Sequence, residues 1–396
     1  MESSIQVKDK KWANLADTLL NYALYIILGI MILVVIIIEP SFVSPKNLIK
    51  ILSQASTRGI LALGVAGLIV FAGTDLSAGR ILGACAAVSA SMLQSVTYAS
   101  RMYPQIQEIM PKWVPFIIAL AAGLIGTILV YRKTGSFQFW IPLVTTIATG
   151  LYYLFSSGTM TIWLPLLFSI IVGVAFSLLN GFGVAKLHLH AFIISLGSQL
   201  IAYGATCIYI DSQKGGAQPL ASLDSQFIKL VNGSIPINDS LNIPYLVIYF
   251  ALCSVVMYII WNKTTLGKNM FAIGGNPEAA EVSGVNIVKT IMQVYLISGV
   301  LYGIAAYLEA GRIQSVTTNT GLNYELDAIS GCVIGGVSFS GGVGTIPGVI
   351  IGVIILQVIN YSLYYLNVNA YLQYIIKGLI IILAVSIDVR KYIKKK

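Results

Sequence analysis

Six polar residues inside or beside long apolar runs could contact a polar solute. They are Asp75, Ser77, Asn180, Gln199, Asp327 and Asn360. A carboxylate at the centre of a bilayer costs about 2.5–3.5 kcal/mol, so such a residue faces a partner, a cavity or the membrane boundary. These residues could line a wet path, or they could bond neighbouring helices together. Asp75, in the segment "DLSAG", could also cap the following helix at the membrane boundary.

No grouping of acids, bases and nucleophiles in the sequence suggests an active site. His188 and His190, in "KLHLH", are the only histidines, and no cysteine or acidic pair stands beside them to complete a metal site. The segment "LGKN", Leu266–Asn269, lacks the earlier glycine and the hydroxyl residue of a phosphate-binding P-loop. We therefore expect no cofactor, no metal and no catalytic residue, and a membrane-embedded enzyme ranks last among the functions considered.

Composition indicates an integral membrane protein. Of the 396 residues 57% are hydrophobic and 10% are charged, whereas a soluble domain carries about 25% charged residues. The net charge of +9 comes from Lys and Arg that stand mainly at the ends and in short loops, which favours a role in membrane orientation over binding of nucleic acid. The widely spaced cysteines predict free, buried thiols at Cys85, Cys207, Cys253 and Cys332.

Apolar runs predict an all-α, polytopic fold in which residues 1–396 form a single transmembrane domain. A spanning helix needs about 20 apolar residues, and the runs predict about 10–12 transmembrane helices. Two or three could be broken or re-entrant, and the weakest runs are 80–98 and 325–341. The other runs are 18–39, 52–73, 114–131, 137–156, 162–185, 190–210, 243–261, 290–310, 345–365 and 371–389.

The distribution of positive charge predicts that both termini lie in the cytoplasm. With the N-terminus inside, the inner segments hold most of the Lys and Arg, including the tail "RKYIKKK". The segment 211–242 is richer in Asp and is predicted to be an outer loop. The segment 262–289 is predicted to be a cytoplasmic loop.

The loop 262–289 contains "AIGGNPEAAEVSG", Ala272–Gly284, which predicts a turn, a short helix and an exit turn. Pro277 suits the first turn of a helix, and Glu278 is favourable near that positive end. Gly284 is suited to end the helix.

Ala279 and Ala280, in the middle of this short helix, predict a small and smooth outward surface that could dock into a groove on another protein. Gly275 and Asn276 belong to the turn before it. An ordinary re-entry loop is the alternative, although such a loop would rarely need so many residues.

Five sequence blocks, in order, resemble the permeases of bacterial ABC importers of the ribose/xylose/galactose group. The loop motif "EAAEVSGV" is similar to their coupling-helix loop. The resemblance covers residues 52–98 and 165–390 and is nearest to the galactose and methyl galactoside branch, with extra sequence near 99–160 relative to ribose-type permeases. The blocks are "GTDLSAGRILG", "LLNGFGVAKLHLHAFIISLG", "FAIGGNPEAAEVSGVNI", "YELDAISGCVIGGVSFSGGVGTIPG" and "YIIKGLIIILAV".

The resemblance implies a multi-pass permease of the bacterial plasma membrane that moves galactose, methyl galactoside or a similar monosaccharide. It implies a separate ABC ATPase subunit, a periplasmic or lipid-anchored sugar-binding protein and a second permease chain as partners, within membrane lipid. ATP hydrolysis would then take place in the partner, so this chain would be a transporter subunit and not an enzyme. The residues implied in ATPase coupling are Gly275, Asn276, Pro277, Glu278, Ala279, Ala280 and Gly284.

An ion-coupled secondary transporter of a small polar solute is the alternative function. Such transporters place ionisable groups at membrane depth. Asp75 and Asp327 are the two carboxylates in the sequence that best fit that role.

Overall fold

The computed structural model describes residues 29–30, 32–95, 97–103, 162–213, 216–238 and 241–393. The predicted runs 114–131 and 137–156, and most of 18–39, lie outside these residues. The described helices are α1 (Pro45–Val70), α2 (Ala78–Met92), α3 (Trp163–Ala185), α4 (Ala191–Asp211), α5 (Ser225–Asn232), α6 (Tyr245–Lys263), α7 (Thr265–Gly275), α8 (Pro277–Val282), α9 (Ile287–Ile313), α10 (Tyr324–Ile334), α11 (Ile346–Tyr365) and α12 (Ala370–Ile393).

Two short elements other than these helices are also present. Residues Pro40–Val43 form a 3-10 turn just before α1. The strands β1 (Ser234–Asn238) and β2 (Leu241–Pro244) pair as an antiparallel hairpin between α5 and α6. The hairpin and α5 occupy the segment that the sequence predicts to be an outer loop.

Six of the described helices are long and apolar enough to cross a membrane, namely α1, α3, α4, α6, α9 and α11. The two runs that looked weakest in the sequence form shorter helices. At a rise of 1.5 Å per residue, α2 and α10 extend about 22 Å and 16 Å, less than the roughly 30 Å of a hydrocarbon core. The runs 80–98 and 325–341 are therefore not full spans, in agreement with the prediction that two or three runs are broken or re-entrant, and we call these shorter helices α2 and α10 the half-length helices. The second stops early because Gly335 and Gly336 follow it, the latter at φ +83°.

The long helices α1 and α9 form the centre of the bundle. Helix α9 packs against α3 and α2, and helix α1 packs in the same way against α11 and α10. The short helices complete the pattern, since α2 also packs on α3 and α4 while α10 packs on α11 and α12. The same set of one long helix, one short helix and two further helices therefore occurs twice: α9 with α2, α3 and α4, and α1 with α10, α11 and α12. Such an arrangement is found in transporters built from two similar halves.

Glycines allow α3 and α9 to approach closely. A Cβ placed on Gly299 would lie 2.7 Å from the carbonyl oxygen of Gly173 in α3. Ser169 donates a 2.8 Å hydrogen bond to the carbonyl of Gly303, one turn further along α9. Small residues at this spacing bring helix backbones together where lipid supplies no hydrophobic drive.

The two ends of the bundle differ, and we call them the hairpin end and the α8 end. At the hairpin end, Asn232 of α5 donates a 2.8 Å hydrogen bond to the carbonyl of Gly311 near the end of α9. The same end holds the start of α1, where Asn47 accepts a 2.8 Å hydrogen bond from Tyr361 of α11. The α8 end holds α7, α8 and the end of α1.

The structure shows the surroundings of the four cysteines and of His190. The four cysteines are free thiols; Cys85, Cys253 and Cys332 are buried and Cys207 is half-buried. This confirms the prediction of free thiols at all four positions, whereas the predicted burial is wrong for Cys207. His190 accepts a hydrogen bond from the backbone N–H of Phe192 and thereby caps the start of α4.

Candidate functional site

The short helix predicted in the loop 262–289 is α8. The side chain of Asn276 accepts a 3.0 Å hydrogen bond from the backbone N–H of Ala279 and so caps the helix start. Pro277 is its first residue, as predicted. Gly284 adopts φ +84° just beyond its end, a conformation that glycine adopts without strain. The sequence therefore specified both ends of this helix.

The exposed face of α8 differs from the predicted one. Ala279 is exposed, but Ala280 is buried with only 3% of its surface accessible, so the expectation that both alanines face outward is wrong for Ala280. Consecutive helical residues point about 100° apart, so both cannot share a narrow face. Val282 is 91% exposed and forms the apolar part of the outward face, flanked by Glu278 and Glu281. Sequence reasoning missed Val282.

The base of this loop contacts the bundle through backbone atoms. Gly274, at the end of α7, lies so close to the carbonyl oxygen of Val70 that a Cβ there would overlap it, and that Cβ would lie 2.5 Å from the nitrogen of Gly342. Gly342, at φ +68°, also donates a 2.7 Å backbone hydrogen bond to Val70. We call Val70, Gly274 and Gly342 the glycine joint. No side chain stands between these backbone atoms, so the loop contacts the end of α1 and the turn after α10 directly. A Cβ on the neighbouring Gly275 would meet open space.

A second group of residues surrounds Asp75, which is fully buried. Its carboxylate accepts hydrogen bonds from the backbone N–H of Ser77 (2.8 Å), from the Ser77 hydroxyl and from the Tyr302 hydroxyl (3.1 Å). Asn180 donates a 2.9 Å hydrogen bond to the Ser77 hydroxyl oxygen. These four residues, the Asp75 cluster, tie the turn between α1 and α2 to α3 and α9.

The Asp75 cluster lies inside the bundle. Tyr302 stands near the middle of α9, so Asp75 is far from either end of that helix. The carboxylate bonds the N–H of Ser77, the residue just before α2, and the position of Asp75 at the membrane boundary stays a prediction. Three of the six predicted path residues, Asp75, Ser77 and Asn180, are thus brought together. The side-chain oxygen of Asn180 remains buried without a hydrogen-bond partner among the described residues.

Asp327 belongs to a different group, built from ion pairs. Its carboxylate contacts the guanidinium of Arg58 in α1 and, at 3.4 Å, the ammonium of Lys377 in α12. The side chains of Arg58 and Lys377 are 17% and 26% exposed, whereas that of Asp327 is 7% exposed. The guanidinium of Arg58 also lies 4.2 Å from the ring centre of Tyr324, within cation–π range.

Glu309 extends this group along α9. It is fully buried, and Arg312 binds both of its carboxylate oxygens at 2.6 and 2.7 Å. The hydroxyls of Tyr324 (2.7 Å) and Thr57 (2.8 Å) donate to the same carboxylate. Opposite charges at membrane depth stabilise each other when their remaining hydrogen bonds are satisfied. The whole group is called the ion-pair cluster: Thr57, Arg58, Glu309, Arg312, Tyr324, Asp327 and Lys377.

The last two predicted path residues join neither group. Gln199 is half-buried on α4. Asn360, on α11, is half-buried, and neither atom of its side-chain amide has a hydrogen-bond partner among the described residues. Gln357, three residues earlier on the same helix, also has a buried amide nitrogen without such a partner.

Several residues of the ion-pair cluster are absent from the sequence-based candidates. Arg58 and Lys377 are single cations inside apolar runs, a signal visible in the sequence. A cation inside a span pairs with another group or faces a wet cavity, and here Asp327 contacts both cations. The sequence could have suggested such pairs, but not which carboxylate meets which cation.

The chain matches known permeases over most of its length. The family described as "Branched-chain amino acid transport system / permease component" matches residues 116–385. The galactose/methyl galactoside import permease protein MglC of Haemophilus influenzae is 42% identical over 380 residues, 96% of this chain and 97% of that protein. The MglC protein of Escherichia coli is 42% identical over 373 residues, 94% of this chain and 95% of that protein. The ribose import permease protein RbsC of Bacillus subtilis is 28% identical over 366 residues, 92% of each chain.

Among solved structures, none matches this chain. The relatives confirm the resemblance that the five sequence blocks predict. The six spanning helices agree with a polytopic membrane fold. The chain therefore belongs to the family of branched-chain amino acid transport system permease components and is an all-α, multi-pass membrane protein.

Proposed function

We propose that this chain is the transmembrane subunit of an ABC importer that moves a monosaccharide into a bacterium, with galactose and methyl galactoside as the first candidates. The names of the relatives at 42% identity support the class of sugar. The observation that carries the coupling role is α8, an exposed short helix held at its base by the glycine joint. In this proposal a separate ATPase subunit hydrolyses ATP.

The proposed orientation puts the α8 end in the cytoplasm and the hairpin end outside, with both termini inside. The distribution of Lys and Arg supports it, because cations concentrate in cytoplasmic loops of membrane proteins. The loop 262–289, with α7 and α8, then meets the ATPase, while the segment 211–242, with α5 and the hairpin, faces the sugar-binding protein.

The proposed mechanical role follows from the contacts at the base of α8. An ATPase that grips the exposed face of α8 moves a helix whose inner side is anchored by buried Ala280. The displacement reaches Val70 and Gly342 through backbone contact, with no flexible side chain to absorb it. Val70 leads directly into the turn that holds Asp75, and Gly342 lies in the turn that follows α10. Both half-length helices therefore receive the movement.

The proposed partners fit the surfaces of the bundle. Helix α4 carries strongly exposed apolar side chains, among them Ile193 (63%), Leu200 (67%) and Ile208 (75%). Such a face suits lipid or a second copy of the permease, and we propose that two identical copies enclose the path. The sugar-binding protein would dock on the hairpin end.

All six polar residues singled out in the sequence remain proposed path residues, with Asp327 first. Its partners Arg58 and Lys377 are partly exposed, so a polar solute can reach their unused N–H donors. Asp75, Ser77 and Asn180 are fully buried, and their hydrogen bonds also join the helices around them.

The decisive experiment compares Gly274→Ala with Gly275→Ala in proteoliposomes that contain the ATPase subunit and the binding protein. A methyl group on residue 274 overlaps the carbonyl of Val70, while one on residue 275 meets open space. We expect Gly274→Ala to lower ATP-driven sugar uptake by about tenfold or more, since small misplacements of a working part have large effects. Gly275→Ala, in the same coupling loop, should lower uptake far less, because its methyl group meets no neighbouring atom. Equal sugar uptake by the two variants would contradict the proposal that the glycine joint transmits the movement of α8.

Val282 supplies the matching test of ATPase docking. We expect Val282→Asp to weaken copurification of the ATPase subunit, because it puts a carboxylate into the apolar part of the docking face, whereas Val282→Leu should retain it. Basal stability should not change, since the side chain is exposed. Sugar uptake that persists without ATP and follows an ion gradient would replace the importer with the ion-coupled alternative.

A further inference from the structure

A cavity of about 440 Å³ opens at the hairpin end of the bundle. Its volume falls within the roughly 300–1,000 Å³ of small-molecule pockets. One wall is a face of α1, and the others are the hairpin, the start of α6 and the last turn of α9. Its polar lining includes Lys46, Lys50, Ser53, Asn232, Asn242 and Arg312.

The polar wall on α1 continues below the cavity. Lys46, Lys50 and Ser53 stand on one face of the helix, at the spacing of successive turns. Thr57 follows one turn deeper and donates its hydroxyl to Glu309 at 2.8 Å. The cavity therefore leads towards the ion-pair cluster and not to an apolar floor.

The charge at the floor of the cavity is balanced. Arg312 is held by two hydrogen bonds from its guanidinium to the carboxylate of Glu309. Because Glu309 already offsets the charge of Arg312, the floor attracts an anion less than a free guanidinium would, while Lys46 and Lys50 supply N–H donors along the α1 wall. Amides, hydroxyls and cation N–H groups together offer both donors and acceptors, which is what a neutral molecule with many hydroxyls requires.

We propose that this cavity is a transit site for a neutral monosaccharide, occupied after the sugar leaves its binding protein and before it passes the ion-pair cluster. The proposal rests on the proposed function and adds where the sugar first contacts the permease. The residues that line the cavity include no aromatic side chain on which a sugar ring could stack. Binding is therefore weak, as a transit site requires, because a tightly held solute would not move on.

The test places a bulky side chain in the cavity. As a control, the same substitution is made at a neighbouring residue that does not line the cavity. Ser53 lines the cavity, and its hydroxyl bonds the carbonyl of Ile49 in its own helix at 2.9 Å. Leu52 is the adjacent residue, is 37% exposed and lies outside the lining. We expect Ser53→Phe to lower ATP-driven galactose uptake by about tenfold or more, and Leu52→Phe to change it by less than about twofold.

Binding-protein docking is measured on the same proteoliposomes. The proposal requires that Ser53→Phe dock the loaded binding protein as well as the parent protein does. Lost docking would make the cavity a protein contact and overturn the proposal, and so would parental uptake by Ser53→Phe. Absence of ATP-driven uptake in the parent protein and in every variant would instead count against the proposed function.

Thiol labelling gives a second measurement that does not depend on transport by a bulky variant. Ser53→Cys and Leu52→Cys are made with Cys207→Ser, since the other native thiols are buried. A membrane-impermeant thiol reagent should label residue 53 from the hairpin side, and concentrated galactose should slow that labelling. Galactose should leave the labelling of residue 52 unchanged. Equal protection at both positions, or none at residue 53, would overturn the proposal.

Discussion

The Asp75 cluster and the ion-pair cluster both hold carboxylates inside the bundle, but with different partners. Asp75 is held by hydroxyl and N–H groups and is fully buried. Asp327 is held by two cations that are themselves partly exposed. Both clusters contain a residue of α9, namely Tyr302 in one and Glu309 in the other. The helix that carries these residues therefore does not explain why the two clusters have different partners.

The comparison separates two ways of placing polar groups at membrane depth. Hydrogen bonds from neutral groups depend on geometry, and losing one partner costs a limited amount. Ion pairs depend on charge balance, and removing one charge leaves its partner buried and uncompensated. The Asp75 cluster lies at the turn next to the glycine joint, where we propose that helices move together. The ion-pair cluster lies below the cavity, where the proposed solute passes.

The largest effect is expected from the same substitution made in both clusters. Asp327→Asn leaves Arg58 and Lys377 without their shared negative charge and should cost about 3–5 kcal/mol of stability. Asp75→Asn keeps an oxygen for Ser77 and can donate its amide N–H to the Tyr302 hydroxyl, so it should cost only about 1 kcal/mol.

Thermal unfolding of the purified variants in lipid nanodiscs measures this difference. Asp327→Glu, which retains the charge, is the control and should recover most of the loss. Equal destabilisation by the two asparagine substitutions would mean that charge balance does not distinguish the clusters.

A smaller contrast concerns the two tyrosines that donate to carboxylates. Tyr302→Phe removes the hydroxyl that bonds one oxygen of Asp75 (3.1 Å), and should cost about 1–3 kcal/mol because a buried acceptor loses its partner. Tyr324→Phe should cost less, about 1 kcal/mol, since Arg312 still bonds both oxygens of Glu309. The same unfolding assay tests the order. A larger loss from Tyr324→Phe would show that its hydroxyl contributes more to Glu309 than Arg312 can replace, since phenylalanine keeps the ring beside Arg58.

The sequence predicts the class and the helices well, for physical reasons. Long apolar runs can be stable only as helices in lipid, so most of the described helices lie close to the runs that predict them. The bounds of α8 follow from local rules, because Asn276, Pro277 and Gly284 each act on their own backbone. The half-length helices were visible only as weak runs, since hydropathy does not reveal where a helix breaks inside the membrane.

The candidate site was less predictable because its contacts join distant parts of the chain. Nothing near Asp75 in the sequence points to Tyr302, which lies 227 positions away. Arg58 and Asp327 are 269 positions apart, and only the packing of α1 against α10 brings them together. Ala280 faces inward because of how α8 packs against the bundle. A local sequence pattern does not contain that information.

The smallest effect expected here tests whether the ion-pair cluster works as one unit. Thr57→Val removes one of the hydrogen bonds to Glu309 and should cost about 1 kcal/mol, because Arg312 and Tyr324 still satisfy the carboxylate. Combined with Tyr324→Phe, the loss should exceed the sum of the two single losses by about 0.5 kcal/mol or more, as expected for residues that share a partner. Thr57→Val paired with Tyr302→Phe is the control, and its losses should add, since Tyr302 belongs to the Asp75 cluster. Additive losses in both pairs would mean that Arg312 alone satisfies Glu309 and that the two hydroxyls contribute independently.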